Sequence, residues 1–268
     1  MQGGNVLFAL GLTLLAGLCT VIGSGLAFFT KKTNTKFLSI ALGFSAGVMI
    51  YISMAELFVD ARTSLTDSLG LIPGSWAAVA AFFAGVLVIA AIDWLIPEYG
   101  NPHGMRKIEE GYGDSTERSS LFRVGVLTAI VIGIHNFPEG IVTFASSVNN
   151  VHLGLAIAIA IAIHNIPEGI SVSVPVYCAT GSRRKAFMLS LLSGLAEPLG
   201  AVLAYLVLVP YLNEVTMGLS FAFVAGIMIF ISLDELLPTA RRYGEHHLAM
   251  YGLIAGMMVM AVSLLLFK

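Results

Sequence analysis

Eight continuous apolar runs, each about 20 residues long, set the strongest limit on what this chain can fold into. Twenty helical residues at 1.5 Å rise cover about 30 Å, the depth of a bilayer's hydrocarbon core. Windows of that size place spans near 6–29, 37–58, 76–97, 123–147, 152–177, 186–208, 215–237 and 248–267. The runs are dotted with Gly and Ala rather than alternating at period two, which excludes a membrane β-barrel. Composition agrees: 11% of the 268 residues are charged and 57% are hydrophobic, whereas about a quarter of a soluble domain is charged. The expected fold is an all-α integral membrane protein of eight transmembrane helices, with the lipid bilayer as its surroundings. No basic leader precedes the first run, which continues to Phe29, so a retained span is expected rather than a cleaved signal.

The few cations are distributed unevenly. Twelve of the fourteen Lys and Arg lie in the first, third, fifth and seventh connections, and only Arg62 and Lys268 fall on the other side. Because basic residues near span ends favour the cytoplasm, both termini are expected to be extracytoplasmic. The longest connection, 98–122, is then a cytoplasmic loop that mixes Gly, Pro, Glu and Arg, with one histidine, His103. A net charge of -2 without a basic stripe excludes nucleic acid as a partner. Cys19 and Cys178 sit in or beside apolar runs and read as packing residues.

Two runs share a phrase that hydrophobicity alone does not require. AIVIGIHNFPEGIV occupies 129–142 and AIAIAIHNIPEGIS occupies 158–171, with their histidines 29 residues apart. On a helix, His135 and Asn136 stand four and three residues before Glu139, so all three project to one side. His164, Asn165 and Glu168 repeat the arrangement. Each phrase lies about 12 residues from the short SSVNNVH connection, close to the bilayer midplane. A carboxylate there costs roughly 2.5 kcal/mol or more unless it has a partner or a water-filled path. No Lys or Arg stands at that depth in spans four to seven, which leaves a mobile cation as partner. Imidazole with carboxylate suits Zn(II); amide oxygen with carboxylates suits Fe(II) or Mn(II).

Glu197, in GLAEPLG, adds a third intramembrane acid. Pro138, Pro167 and Pro198 stand beside the three acids, and each deprives the carbonyl four residues earlier of its helical donor. Such breaks accompany ion sites in transporters, where irregular backbone lines a cavity. Gly140 and Gly169, next to two of the glutamates, permit close helix approach.

Self-similarity extends further. FSAGVMIYISMAEL at 44–57 matches FVAGIMIFISLDEL at 223–236 at an offset of 179, setting Ser53 over Ser232 and Glu56 over Glu235. LLAGLCTVIGSGLA from Leu14 more weakly matches LLSGLAEPLGAVLA from Leu191 at an offset of 177, so Thr20 stands over Glu197. Spans one to three thus repeat as spans six to eight with opposite orientation, a 3+2+3 arrangement with inverted repeats. A pairing of span three with span eight does not show in the letters. Inverted repeats are the build of transporters that bind cargo near the midplane.

With HNFPEG in span four, HNIPEG in span five and AEP in span six, the chain resembles the ZIP family of metal-ion transporters along its whole length, in particular its bacterial zinc-uptake branch. The resemblance implies a single ZIP-type transmembrane domain over 1–268 in the cytoplasmic membrane of a cell. It also implies a two-metal centre. One metal would take His135, Glu139, His164 and Glu168; its neighbour would take Asn136, Glu139, Asn165, Glu168 and Glu197, with Glu139 and Glu168 bridging. A homodimer is a further family-level expectation. The loop 98–122 departs from the histidine-rich loops of many relatives.

The function expected is uptake of zinc, and of iron, manganese, cobalt or cadmium, into the cytoplasm, with release when one repeat bundle moves against spans four and five. The metal is cargo; no catalytic cofactor and no enzyme activity are expected. Glu56 reads as an entrance contact, and Asp234 with Glu235 as exit contacts. His246 and His247 stand where departing metal would pass, and Asp93 beside Trp94 reads as interfacial. A metal-sensing receptor shares these binding features and differs only in flux. An intramembrane metalloenzyme lacks its His-Glu-x-x-His pattern, since Asn follows each motif histidine.

Overall fold

The computed structural model describes residues 3–27, 35–95, 115–208, 213–243 and 246–266. His103, with loop residues 98–114, lies outside them, as do the side chains of His135, Cys178 and His246. Every element among the described residues is helical: α1 (Gly3–Ala27), α2 (Thr35–Ile52), α3 (Phe58–Leu69), α4 (Leu71–Leu95), α5 (Ser115–Asn149), α6 (Val151–Thr180), α7 (Arg183–Leu203), α8 (Glu214–Ile231), α9 (Leu237–Tyr243) and α10 (His246–Leu266). Eight stretches of these helices are long and apolar enough to cross a membrane.

Helices outlast the apolar windows. The second stretch runs to Leu69 and the third starts at Leu71, where the windows end at 58 and resume at 76. Phe58–Leu69 is amphipathic, burying Ala61 and Leu65 while Arg62 and Asp67 stay outside, so hydropathy drops although the helix continues. What stops it is Gly70, at φ 90° and ψ 160°, a conformation that side chains disfavour. Between α5 and α6 a single residue turns the chain. The Asn150 side chain accepts from the backbone N–H groups of His152 and Leu153 at 3.0 and 3.2 Å, capping α6 at the turn between the two motif helices.

Packing sorts the helices into two sets. In one, α1, α5, α6 and α7 pack on one another; in the other, α2 lies along α10 and α4 along α8. The sets meet where α2 rests on α6 and α8 on α5, and Leu42, Met49, Ile157, Ile161 and Met228 belong to the core cluster that joins them. This division cuts across the repeat bundles expected from sequence. Spans one and six pack on the motif helices rather than with spans two and seven, which follow them in the chain.

Glycines let the helix backbones approach closely, and they do so in pairs. A Cβ on Gly169 would overlap the Thr20 carbonyl, and one on Gly140 would overlap the Glu197 carbonyl. Gly23 meets Ile166 in the same way, and Gly200 meets Phe137. The pairs are related by the offsets of 29 and 177. On the second set, Gly47 meets Leu253 and Gly226 meets Phe82, while Gly256 meets Phe44 and Gly85 meets Phe223. These relate span two to seven by 179 and span three to eight by 171 (253 minus 82, and 256 minus 85). The correspondence of spans three and eight is thus visible in backbone contacts where the letters hide it. Gly17 and Gly194, 177 apart, each meet the other's carbonyl.

Two π-helical turns obey the same relation. Ser53–Leu57 follows α2 and Ser232–Leu236 follows α8, each carrying one buried glutamate, Glu56 and Glu235. Single π turns recur at functional sites because the extra residue re-aims a side chain.

Candidate metal centre

Asn136, Glu139, His164, Asn165, Glu168 and Glu197 are all 0% exposed, at the crossing of α5, α6 and α7. Three glutamates so buried require compensation from within the protein or from a bound cation. The Nε2 atom of His164 lies 3.0 Å from Glu139 Oε1 and 4.0 Å from Glu168 Oε1, joining the two copies of the motif.

The other ring nitrogen fixes the chemistry. Nδ1 of His164 is 3.2 Å from the Ala160 carbonyl, which accepts only, so Nδ1 carries a hydrogen. In neutral imidazole, Nε2 then presents its lone pair to the carboxylates. A lone pair and a carboxylate facing each other at 3.0 Å repel unless a proton or a cation joins them. A backbone carbonyl on the far nitrogen is also how metal-binding histidines are oriented. Ser45 on α2 donates to the His164 carbonyl at 2.9 Å, holding this turn of α6 from the second helix set.

The asparagines are anchored by their nitrogens and leave their oxygens available. Asn165 Nδ2 donates to the Ala16 carbonyl at 2.9 Å and to Glu197 Oε2 at 2.8 Å. Asn136 Nδ2 donates to the Ser193 carbonyl at 3.2 Å. Ala16 and Ser193 are repeat images, 177 apart. Among the described residues, neither Asn136 Oδ1 nor Asn165 Oδ1 has a hydrogen-bond donor, although both residues are fully buried. An amide oxygen left this way in a site of carboxylates and imidazole matches the donor set of a divalent cation. The donors fit zinc and oxygen-preferring metals alike.

Beyond the centre, the structure regroups several residues. A cavity of about 610 Å³ at the Asn150 end of the bundle is lined by Glu56, Asp60, Asn150 and His152. Sequence reasoning picked out Glu56 but missed Asp60, one turn on, and His152 just past the α5–α6 turn. Among the described residues, Asp93, Asp234 and Glu235 bring one ligand atom each within 4.8 Å of one another. Asp93 is thereby a neighbour of the span-seven acids rather than only an interfacial residue. His247 is exposed and stacks on Tyr251, with ring centroids 6.3 Å apart.

Comparison with known proteins decides the family. The sequence model described as ZIP Zinc transporter matches residues 95–264. The chain belongs to the ZIP zinc transporter family. Its ZIP relatives extend the likeness to the helices before residue 95. A protein named zinc transporter ZupT from Lysinibacillus sphaericus is 61% identical over 265 residues, covering 98% of each chain. Proteins of the same name from Clostridium perfringens and Streptococcus mutans are 56% and 59% identical, the first covering all of both chains and the second 96% of each. As a ZIP protein with eight apolar spans, the chain is a multi-pass membrane protein.

Proposed function

We propose that the protein carries zinc across the membrane into the cytoplasm through the buried centre on α5, α6 and α7. The observation that carries this reading is the His164 side chain, with Nδ1 held by the Ala160 carbonyl and Nε2 directed at Glu139 and Glu168. The relatives' printed name, zinc transporter, supports the same cargo and a transport role rather than catalysis.

Two ions share the centre in this reading. One binds His135, Glu139, His164 and Glu168, and the other binds Asn136, Glu139, Asn165, Glu168 and Glu197, with Glu139 and Glu168 common to both. The nitrogen-bearing set favours Zn(II) and Cd(II), and the all-oxygen set favours Fe(II) and Mn(II), with Co(II) suited to either. Proton and metal compete for Nε2, so protonation on the low-metal side helps release the ion. The eight spans act as two inverted three-span repeats around a central pair, with both termini outside the cytoplasm. Ions enter from the Asn150 end, past Glu56 and Asp60, and leave past Asp93, Asp234 and Glu235. Motion divides along the packing, so that α1, α5, α6 and α7 shift together against the remaining helices.

Radiolabelled zinc entry into liposomes carrying the purified chain tests this. Saturable entry supports transport; binding to the centre with no entry above protein-free liposomes would make the protein a sensor instead.

A further inference from the structure

Position 20 is where the two halves of the centre differ. Thr20 on α1 is the repeat image of Glu197 on α7, and the two occupy matching places. The Thr20 carbonyl lies against Gly169, which follows Glu168, and the Glu197 carbonyl lies against Gly140, which follows Glu139. On one side the image set is complete: Asn165 donates both to the Ala16 carbonyl and to the Glu197 carboxylate. On the other side Asn136 donates to the Ser193 carbonyl, and a threonine stands where the carboxylate would be.

The shorter side chain brings a hydroxyl, in place of a carboxylate, to that wall. Thr20 is 0% exposed, and among the described residues neither its Oγ1 nor Asn136 Oδ1 has a hydrogen-bond partner. Both reach the same turn of α7. Thr20 Oγ1 would lie 3.2 Å from a Cβ on Gly194, and Asn136 is bonded to the adjacent Ser193. A buried hydroxyl and a buried amide oxygen, both left unsatisfied on side chains that reach one turn of α7, call for a ligand that offers hydrogens. Water fills that role, and water bound to a cation fills it better because its hydrogens are more acidic.

We propose that Thr20 is a specificity-determining residue: with Asn136 Oδ1, its hydroxyl holds a water of the hydrated divalent cation bound at the centre. This rests on the metal-transport reading above. The centre thereby has three carboxylates rather than four and a neutral, water-mediated wall on α1. Cations that keep oxygen ligands and water, such as Mn(II), depend on that wall. Zn(II), gripped by the His164 nitrogen, depends on it less.

The experiment measures equilibrium binding of Zn(II) and of Mn(II) to the purified full-length chain, with thermal unfolding as a folding control. Thr20→Val removes the hydroxyl at constant shape and is expected to weaken Mn(II) by about 10–100-fold, as loss of an outer hydrogen-bond partner does. Zn(II) is expected to change less than about threefold, and Thr20→Ser is expected to restore Mn(II) binding. Thr20→Glu supplies the missing carboxylate and is expected to tighten Mn(II) by at least about tenfold. A folded Thr20→Val protein with an unchanged ratio of Mn(II) to Zn(II) affinity overturns the proposal. Should Thr20→Val not fold, a Thr20→Glu protein with no gain for Mn(II) overturns it. A Glu139→Gln, Glu168→Gln double variant separates the two levels. If that variant binds both ions like the wild type, the centre itself is misread. If it loses both while Thr20→Val leaves the ratio unchanged, only the role of Thr20 falls.

Discussion

The Nε2 atom of His164 lies 3.0 Å from Oε1 of Glu139, linking the second copy of the repeated motif to the first across α5 and α6. Each copy supplies what the other lacks at that contact. In the proposed reading, the duplication yields one shared centre with ligands from facing helices, rather than two separate sites.

Removing the imidazole is expected to separate the metals. His164→Gln keeps a polar side chain but no ring nitrogen, and should weaken Zn(II) binding at least as much as losing a supporting partner does, by about 10–100-fold. Mn(II), served by oxygen donors, should lose less. Equilibrium binding of both ions measures the difference.

Protons are expected to displace zinc. The lone pair of His164 Nε2 accepts either a proton or the metal, so zinc affinity should fall as pH falls. The slope of affinity against pH should be shallower in His164→Gln, because one competing proton site is gone. Calorimetric titration at several pH values reads both slopes.

The glycine contacts make a claim about stability. Gly169→Ala places a methyl group on the Thr20 carbonyl and Gly140→Ala places one on the Glu197 carbonyl. Overpacking against backbone should destabilise each variant by about 1–3 kcal/mol. Gly11→Ala is the control, since a Cβ there meets nothing within 4 Å and alanine is the better helix former. Thermal unfolding in detergent should show a lower midpoint for the first two and an equal or higher one for Gly11→Ala.

The cavity at the Asn150 end should act through its field. Glu56→Gln with Asp60→Asn removes two negative groups from its lining, so zinc entry should slow at low ionic strength. Added salt should shrink the difference, as screening already weakens the attraction in the wild type. Initial rates at two salt concentrations distinguish this from a structural defect, which salt would not repair.

Much of this was open to a reader of the letters, for identifiable reasons. The spans show because hydrocarbon demands continuous apolar runs, and the motif ligands show because His, Asn and Glu are costly at midplane depth. Helix ends did not show. Hydropathy registers where apolar residues end, whereas Phe58–Leu69 continues as an amphipathic helix until Gly70 breaks it. The sorting of helices into two sets was hidden as well, because it depends on which glycine meets which carbonyl. Gly85 and Gly256 look like ordinary small residues until the Phe223 and Phe44 carbonyls are seen against them. The company of Asp93 with Asp234 and Glu235 was hidden for a related cause, since it is made across helices far apart in the chain. The oxygens of Asn136 and Asn165 gain their meaning only once their nitrogens are seen to be engaged elsewhere.

The central claim is that cargo crosses through the site shared by Glu139 and Glu168. Radiolabelled zinc entry into liposomes, compared between the wild type and a Glu139→Ala, Glu168→Ala double variant inserted in equal amounts, tests it most directly. Saturable entry in the wild type with background entry in the double variant is the expected result; entry by the double variant at the wild-type rate would contradict the account.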